Sequence, residues 1–262
     1  MGRMHLFEFE DLPWFPQNIR ACMQDHLRVM GDLSAPAYKG FVEKLRAAME
    51  RSGQRTILDL CSGSGGPVRT ILRLLRTQSF EATARVTDLF PNVAAYRQLE
   101  RASGGTIQGC DSPVNATNVP PELRGFRLLA NGFHHFRPHD AGLVLADAIK
   151  RQHGIAVIEM VSRSPLAFFS VFLAFVAMFV TTPFVRPFRA SRLFLTYLLP
   201  LAPLCTLWDG FVSCLRVYSP AELRALVAQL GVTTYEWDIG EIRFGPGVVT
   251  YLIGTPRIAS EL

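Results

Sequence analysis

The stretch Asp59-Leu-Cys-Ser-Gly-Ser-Gly-Gly66 decides the fold. It ends a short apolar run at 56–60 that predicts a β-strand, and Pro67 follows it at the first turn of a predicted helix. Glycines in such a turn let the backbone approach a ligand closely. The dinucleotide pattern GxGxxG fails because Val68 stands where that pattern needs Gly or Ala, and no Lys-Ser/Thr pair follows to make a Walker loop. An acid before the glycines, Asp59, would repel a pyrophosphate but can hold a cationic amino group.

Predicted strands and helices alternate along the rest of the chain. Strands are predicted at 56–60, 84–88, 106–109, 126–131, 154–160, 233–238 and 248–254. Helices are predicted at 18–30, 36–51, 67–76, 92–101, 139–152 and 219–231. The last two strands are joined through Gly245-Pro-Gly247, which predicts a hairpin. This order predicts an α/β fold, a doubly wound and mostly parallel seven-stranded sheet with an antiparallel edge strand.

The composition fits one α/β domain with an appendage. The 262 residues with 49% hydrophobic content can build a core, which excludes a disordered chain. The five cysteines are scattered without a CxxC pair, which argues against a disulfide scaffold and a zinc ribbon. Acids near the start stand where an export signal needs an apolar run, so no export signal is expected. We expect a helical arm at 1–54, a sheet domain at 55–162 and 217–262, and an apolar helical insertion at 163–216.

The expected insertion holds the longest apolar runs and most of the net charge. Between Arg163 and Arg186 lie 22 residues without a charge, and a second uncharged run spans 193–208. From Arg163 to Arg216 five arginines face one acid, which is +4 of the formal +5 of the chain. Such basic, apolar character points to an anionic membrane surface rather than to nucleic acid. We expect a helical pair that dips into one leaflet or lies in it, with Arg186, Arg189 and Arg192 at headgroup level. The alternatives are a buried cap over a hydrophobic pocket and a dimer interface.

Two acids accompany the glycine loop. Asp59 precedes the glycines, and Asp88 ends the next predicted strand. Together they resemble the class I S-adenosylmethionine-dependent methyltransferase family, whose loop reads D-x-G-x-G-x-G, over 55–160 and 217–256. Cys61 occupies the first glycine position, and Gly63 and Gly65 make the turn. The resemblance implies S-adenosylmethionine as cofactor, with Asp59 and Gly63 along its methionine part. It implies that Asp88 holds the ribose hydroxyls and that Leu89 packs on the adenine.

Two further motifs resemble those of the same family. Val114-Asn-Ala-Thr-Asn-Val-Pro120 is similar to G-D-A-x-x-L-P, with Asn115 in place of the acid and Ala116 kept. The resemblance places Asn115 at the adenine amino group, with Asp111 as an alternative contact. Ala130-Asn-Gly-Phe-His-His-Phe136 is similar to an F-H-H-F version found in a bacterial subset of the family, and Asn131 belongs to it.

Two adjacent histidines follow the fourth predicted strand, at the edge where such sheets bind ligands. An imidazole is a natural base for a hydroxyl or ammonium group, so His134 and His135 are the catalytic candidates, with His134 slightly favoured. Glu159 ends the fifth predicted strand and would orient an amine acceptor or cap a loop. No metal site is predicted, because the other histidines lie apart without ligand spacing: His5, His26, His139 and His153.

These observations predict a membrane-associated methyltransferase acting on a lipid or other hydrophobic small molecule, with oxygen slightly favoured over nitrogen as acceptor. The expected location is the cytoplasmic face of the inner membrane, without a nucleic-acid partner, and a homo-oligomer is left open. One alternative is a soluble, cytoplasmic methyltransferase with a hydrophobic lid. Another is a membrane-anchored, non-catalytic protein that binds S-adenosylmethionine through a degenerate loop.

Overall fold

A single mixed sheet organises the computed structural model, which describes residues 2–186, 188–245 and 247–257. Its strands are β1 (Thr56–Asp59), β2 (Thr83–Val86), β3 (Ile107–Gly109), β4 (Phe126–Ala130), β5 (Ile155–Glu159), β6 (Tyr235–Phe244) and β7 (Gly247–Pro256). Among the described residues these seven strands pair in the order β3-β2-β1-β4-β5-β7-β6. Strands β1 to β5 pair in parallel, whereas β7 runs antiparallel to both β5 and β6. The predicted α/β fold class is confirmed.

Helices cover both faces of this sheet. They are α1 (Gln17–Leu33), α2 (Lys39–Arg51), α3 (Gly66–Thr77), α4 (Val93–Ala102), α5 (Pro138–Lys150), α6 (Pro165–Thr181), α7 (Ala190–Leu193), α8 (Leu201–Arg216) and α9 (Pro220–Gln229). The strands β4 and β5 are buried throughout, as expected for strands covered on both sides. Successive side chains of β1 divide between two cores: Ile57 packs with α2 and α3, and Leu58 packs with α5 and α9.

The helix α2 belongs to the sheet domain. Its Phe41, Val42 and Leu45 are fully buried in the same core as Ile57 of β1. Residues 39–51 of the expected arm therefore cover one face of the sheet, whereas residues 2–33 lie along its carboxyl edge and against the insertion.

The hairpin of β6 and β7 is longer than its predicted strands, 233–238 and 248–254. Pairing runs from Tyr235 opposite Pro256 to Phe244 opposite Gly247, and the turn residue at 246 lies outside the described residues. The predicted strand ended at 238, whereas the observed strand continues through Gly240 to Phe244. A Cβ atom at Gly240 would lie 2.9 Å from the hydroxyl oxygen of Tyr251, so the missing side chain makes room for a cross-strand ring.

The insertion leaves the sheet after β5 and returns at α9. Its two ends are joined by an ion pair between Arg163 and Glu222, and Glu222 also completes a capping box with Ser219 at the start of α9. Within the described chain, one helix, Pro165–Phe184, is long and apolar enough to cross a membrane. A second apolar pair, Ala190–Leu198 and Leu201–Arg216, bends by 74°.

Candidate functional site

The loop between β1 and α3 is built from left-handed backbone positions. Cys61, Gly63 and Gly65 have φ values of 57°, 54° and 71°. A Cβ atom at Gly65 would lie 2.6 Å from Cδ2 of Leu99, so this position requires glycine for space as well as for conformation. The loop therefore needs a left-handed backbone at the alternate positions 61, 63 and 65. Cys61 adopts this conformation at a cost of about 1–2 kcal/mol.

Substitutions at Cys61 should reveal that cost. Cys61→Gly should change the free energy of unfolding by no more than about 1 kcal/mol, because relief of strain offsets the added freedom of the unfolded chain. Cys61→Val should lower it by roughly 1–2 kcal/mol, since a β-branched residue tolerates positive φ poorly. Urea unfolding measures both, with Cys110→Val as the control because the backbone of Cys110 is not left-handed. Equal losses for Val at both positions would contradict the role of the backbone at Cys61.

Asp59 lies at the end of β1, beneath this loop, and is 1% exposed. Its Oδ1 atom is buried without a hydrogen-bond partner among the described residues. Burial and the nearby charge of Asp88 raise the pKa of Asp59 to about 7. A buried carboxyl group with an unused acceptor is suited to a cationic donor.

Asp88 follows β2 and faces the glycine loop from the side. Its Oδ2 accepts a hydrogen bond from the Gly63 N–H at 2.9 Å, and its Oδ1 accepts one from the Phe90 N–H at 2.8 Å. An ionised carboxylate has about four acceptor positions, so these two bonds leave others for ligand hydroxyl groups. Leu89 beside it is 49% exposed and presents an apolar surface at the same edge.

The third predicted motif comes close to Asp88 through its backbone. The Val114 N–H donates to the Asp88 carbonyl oxygen at 2.8 Å. Asn115 is exposed, and its Oδ1 accepts from the Thr117 N–H at 2.9 Å, which forms a local turn. Ala116 is buried, whereas the exposed Asp111 pairs with Arg97 at 3.5 Å. The side chain of Asn115 is therefore engaged in its own turn, and the Asp111 carboxylate is engaged with Arg97.

Asn131 connects the ends of β4 and β5. It adopts φ of 57°, and its Oδ1 accepts a hydrogen bond from the Met160 N–H at 2.8 Å. Its amide nitrogen lies 3.4 Å from the hydroxyl oxygen of Tyr38 on the other side. Asn131 shapes the turn that carries the histidines, and its hydrogen bonds are made within the protein.

His134 is held by the acid at the end of β5. Its backbone N–H donates to Oε1 of Glu159 at 2.9 Å, and its Nδ1 lies 2.8 Å from Oε2 of the same carboxylate. Because a carboxylate only accepts, Nδ1 carries the hydrogen and Nε2 carries the lone pair. Nε2 has no hydrogen-bond partner among the described residues, and the side chain is buried. This arrangement leaves Nε2 at the sheet edge without a hydrogen bond, 3.8 Å from Oε1 of Glu8.

His135 differs from its neighbour in its partners. Its Nδ1 lies 2.7 Å from Oδ1 of Asp11 and 3.5 Å from Oε2 of Glu8. Burial alone would lower the pKa of His135, but the charge of Glu8 and the hydrogen bond and charge of Asp11 raise it to about 10. At neutral pH His135 is protonated, so His134 is the better proton acceptor of the two.

The N-terminal arm, residues 3–16, supplies site residues that sequence reasoning missed. Arg216 at the end of α8 joins the arm to the sheet edge through Glu8 at 2.8 Å and Asp11 at 2.6 Å. Asp209 of the same helix accepts hydrogen bonds from the backbone of Phe9 and Glu10. The available signal was the run of acids near the start of the chain, which predicts no partner by itself because the partners lie more than 100 residues away.

Several solved structures share this architecture. Human N-acetylserotonin methyltransferase, determined with S-adenosylmethionine, aligns over 91% of this chain and 56% of its own length, with a TM-score of 0.54 and 12% identity. The CMeT domain of the citrinin polyketide synthase aligns over 87% of this chain and 55% of its own, with a TM-score of 0.52 and 13% identity. No protein-family model matches this sequence, nor does any curated protein.

Identities this low show the fold alone. The chain has the seven-stranded, Rossmann-like fold of class I methyltransferases, and it spans about 55% of the length of the solved structures named above. The residues at its carboxyl edge must therefore support any statement of activity.

Proposed function

We propose that this chain transfers a methyl group from S-adenosylmethionine to an oxygen atom of a hydrophobic acceptor. The observation that carries the proposal is His134, which lies at the same sheet edge as the glycine loop. Its Nδ1 is held by Glu159, and its Nε2 has no hydrogen-bond partner among the described residues. The methyltransferase fold supports the proposal independently.

The residues of the loop fit the proposed cofactor. The orphaned Oδ1 of Asp59 would accept from its ammonium group, and the remaining lone pairs of Asp88 would accept from its ribose hydroxyls. Leu89 offers an apolar surface for the adenine ring, and the turn around Asn115 and Ala116 lies beside it. Two acids would face a ligand that carries a positive charge and hydroxyl donors, whereas they would repel a pyrophosphate.

The chain contributes proton removal and exclusion of water. When bound, S-adenosylmethionine supplies a methyl carbon that forms a bond to the acceptor oxygen while its bond to sulfur breaks, which leaves S-adenosylhomocysteine. His134 Nε2 accepts the proton of the acceptor hydroxyl, and Glu159 stabilises the imidazolium that results. The arm, fixed by Arg216 and Asp209, covers this region and limits access of water.

Replacing Asp88 tests the cofactor site. Asp88→Ala should weaken S-adenosylmethionine binding by ~1–3 kcal/mol, because it removes the ribose acceptor and the bond to the Gly63 N–H. Isothermal titration calorimetry measures the affinity, with Asp140→Ala as the control, since the Asp140 side chain is 47% exposed. Unchanged affinity in Asp88→Ala would contradict the ribose assignment. Absence of binding by the wild-type chain would contradict S-adenosylmethionine as the cofactor.

The apolar surface of the insertion supports action at a membrane. Only 11% of the most apolar window of Pro165–Phe184 is buried, whereas a cap over a pocket would bury most of it. The exposed large side chains of this helix and its neighbours are Leu166, Phe169, Phe172, Leu173, Val176, Val180, Phe184, Phe188, Phe194, Tyr197, Leu198, Leu199, Leu201, Leu204 and Trp208. The helices α6 and α8 pack together through Phe168 and Phe211, so these side chains form one apolar surface.

This surface continues to the arm that covers the site. The rings of Phe7 and Trp208 lie 5.3 Å apart between centroids, tilted by 34°. Trp208 Nε1 donates to the Phe7 carbonyl oxygen at 3.0 Å. An acceptor dissolved in a leaflet would therefore meet the arm, which carries Glu8 and Asp11, before the histidines. We infer that a lipid or other bilayer-resident hydroxyl compound is the acceptor class.

One arginine expected at headgroup level is not available there. Arg192 is 2% exposed and forms an ion pair with Asp25 of α1, because the turn after α6 folds back onto that helix. Arg186 is exposed, and Arg189 is partly exposed with Asp25 at 3.8 Å. The expectation of three headgroup arginines was wrong for Arg192, and Arg186 and Arg189 are the ones proposed to face anionic lipid.

Vesicle flotation tests the membrane proposal. The variant Phe169→Ser/Phe172→Ser/Leu173→Ser should lose roughly 10- to 100-fold in vesicle affinity, because three apolar side chains no longer enter the leaflet. Leu33→Ser/Leu143→Ser is the control, since both leucines are exposed outside the insertion.

Arg186→Gln/Arg189→Gln should reduce binding to anionic vesicles most at low salt. If the wild-type chain stays soluble without detergent and does not bind vesicles, the result would favour one of two alternatives. The insertion would then be a hydrophobic lid, or a second copy of the chain would cover its apolar surface.

A further inference from the structure

Three groups that can ligate a metal meet under the arm. Glu8, His134 and His135 each place one ligand atom within 4.8 Å of those of the other two. Oε1 of Glu8 lies 3.8 Å from Nε2 of His134, and Oε2 lies 3.5 Å from Nδ1 of His135. Two atoms bound to one zinc ion at ~2.0–2.2 Å lie roughly 3–3.5 Å apart, so the three side chains would have to move closer together to bind one ion.

His134 has the form of a metal ligand. It is 3% exposed, its Nδ1 donates to Glu159, and its Nε2 points toward Glu8 without a hydrogen-bond partner among the described residues. A ligating histidine commonly donates its other ring N–H to a carboxylate, which fixes the tautomer and raises the basicity of the free nitrogen. Glu159 is that second carboxylate.

The charges around the two imidazoles favour a cation. Three carboxylates contact the rings, those of Glu8, Asp11 and Glu159, whereas the guanidinium of Arg216 pairs with two of them. A metal ion bound to Nδ1 of His135 would replace the proton held there. The three negative charges and the one positive charge that remain leave an excess that one divalent ion would balance. Asp11, 2.7 Å from His135 Nδ1, would be the next oxygen ligand.

We propose that Glu8, His134 and His135 bind one divalent transition-metal ion of the zinc type. Two imidazoles with carboxylate oxygen suit Zn²⁺ or Co²⁺, whereas Mg²⁺ and Ca²⁺ prefer oxygen ligands alone. The ion takes the lone pair of Nε2 that proton removal requires, so metal binding and the base role of His134 exclude each other. Zinc is therefore an inhibitor in the proposed methyl transfer, although the site itself does not depend on that activity.

Direct metal binding tests this site in the absence of cofactor. The purified chain is stripped with a chelator, dialysed against Zn²⁺ and analysed for bound metal by mass spectrometry. One zinc per chain is expected. Glu8→Gln and His134→Gln should each weaken Zn²⁺ binding at least 10-fold in a competition titration. His139→Gln is the matched control, because its side chain is 82% exposed and should leave binding unchanged.

Glu8→Gln loses the ion pair with Arg216, and this variant could fail to fold for that reason. Titration of the wild-type chain with Co²⁺ tests the site without that variant. The wild-type chain should develop visible d–d absorption typical of nitrogen and oxygen ligands, and Zn²⁺ should abolish it. Wild-type protein without bound zinc or cobalt absorption would overturn the proposal, as would equal zinc affinity in His134→Gln and the wild type. Binding is measured without S-adenosylmethionine, so its failure is distinct from a failure of methyl transfer.

Discussion

Replacing His134 by Gln should lower kcat for methyl transfer by about 10²–10⁴-fold and leave the affinity for S-adenosylmethionine nearly unchanged. The amide cannot accept the acceptor proton, whereas its size and its contact with Glu159 are largely kept. Cofactor contacts are proposed at Asp59 and Asp88, on the other side of the loop, so binding should persist. Rates with saturating cofactor and calorimetric affinities separate the two effects.

Two comparisons make the His134 result specific. His139→Gln changes a histidine whose side chain is 82% exposed, and it should keep the wild-type rate. His135→Gln removes a residue paired with Asp11, so it should disturb the arm more than the proton transfer. A His134→Gln enzyme with the wild-type kcat would show that proton removal is not its role.

Asp59→Asn should weaken cofactor binding by about 1.5–3 kcal/mol and remove most of its pH dependence near neutrality. Burial raises the pKa of Asp59 to about 7, so the carboxyl group is protonated below that pH and ionised above it. A cationic ammonium group favours the ionised form, and wild-type affinity should therefore increase as the pH rises through about 7. Calorimetry at pH 6 and pH 8, as nominal test values around that pKa, compares wild type with variant.

The same raised pKa predicts that the free energy of unfolding falls as the pH rises, whereas the affinity for the cofactor increases. The folded pKa of about 7 lies above the unfolded value of 3.8, so the folded state binds more protons between these values. The contribution of Asp59 to stability is therefore lost as the pH rises from about 4 to about 7, and Asp59→Asn should unfold at higher urea than wild type above that window. Affinity that falls with rising pH would contradict an ionic contact at Asp59.

Local sequence determines the part of the site that could be predicted. The loop from Asp59 to Gly65 follows from the requirement for left-handed backbone at alternate positions, and Asp88 follows from its place at a neighbouring strand end. The histidines follow β4 for the same reason. Each of these features depends on a strand and the few residues after it.

Contacts between distant segments could not be predicted. Glu8 and Asp11 reach the histidines because Arg216 and Asp209 of the insertion hold the arm, and these pairs join residues about 200 positions apart. Arg192 was interpreted as a surface charge because its sequence neighbours are apolar and basic, whereas its partner Asp25 comes from α1. Charge in a sequence window does not reveal a partner on another helix.

The central claim is methyl transfer to a hydrophobic acceptor, and the most direct test is incorporation of labelled methyl from S-adenosylmethionine. Purified protein is incubated with a membrane extract, and the products are separated into organic and aqueous phases, with His134→Gln as the control. The account predicts label in the organic phase that depends on the wild-type protein and falls at least 100-fold in the variant. Label confined to the aqueous phase would contradict a lipid-like acceptor, and equal labelling by His134→Gln would contradict the proposed chemistry.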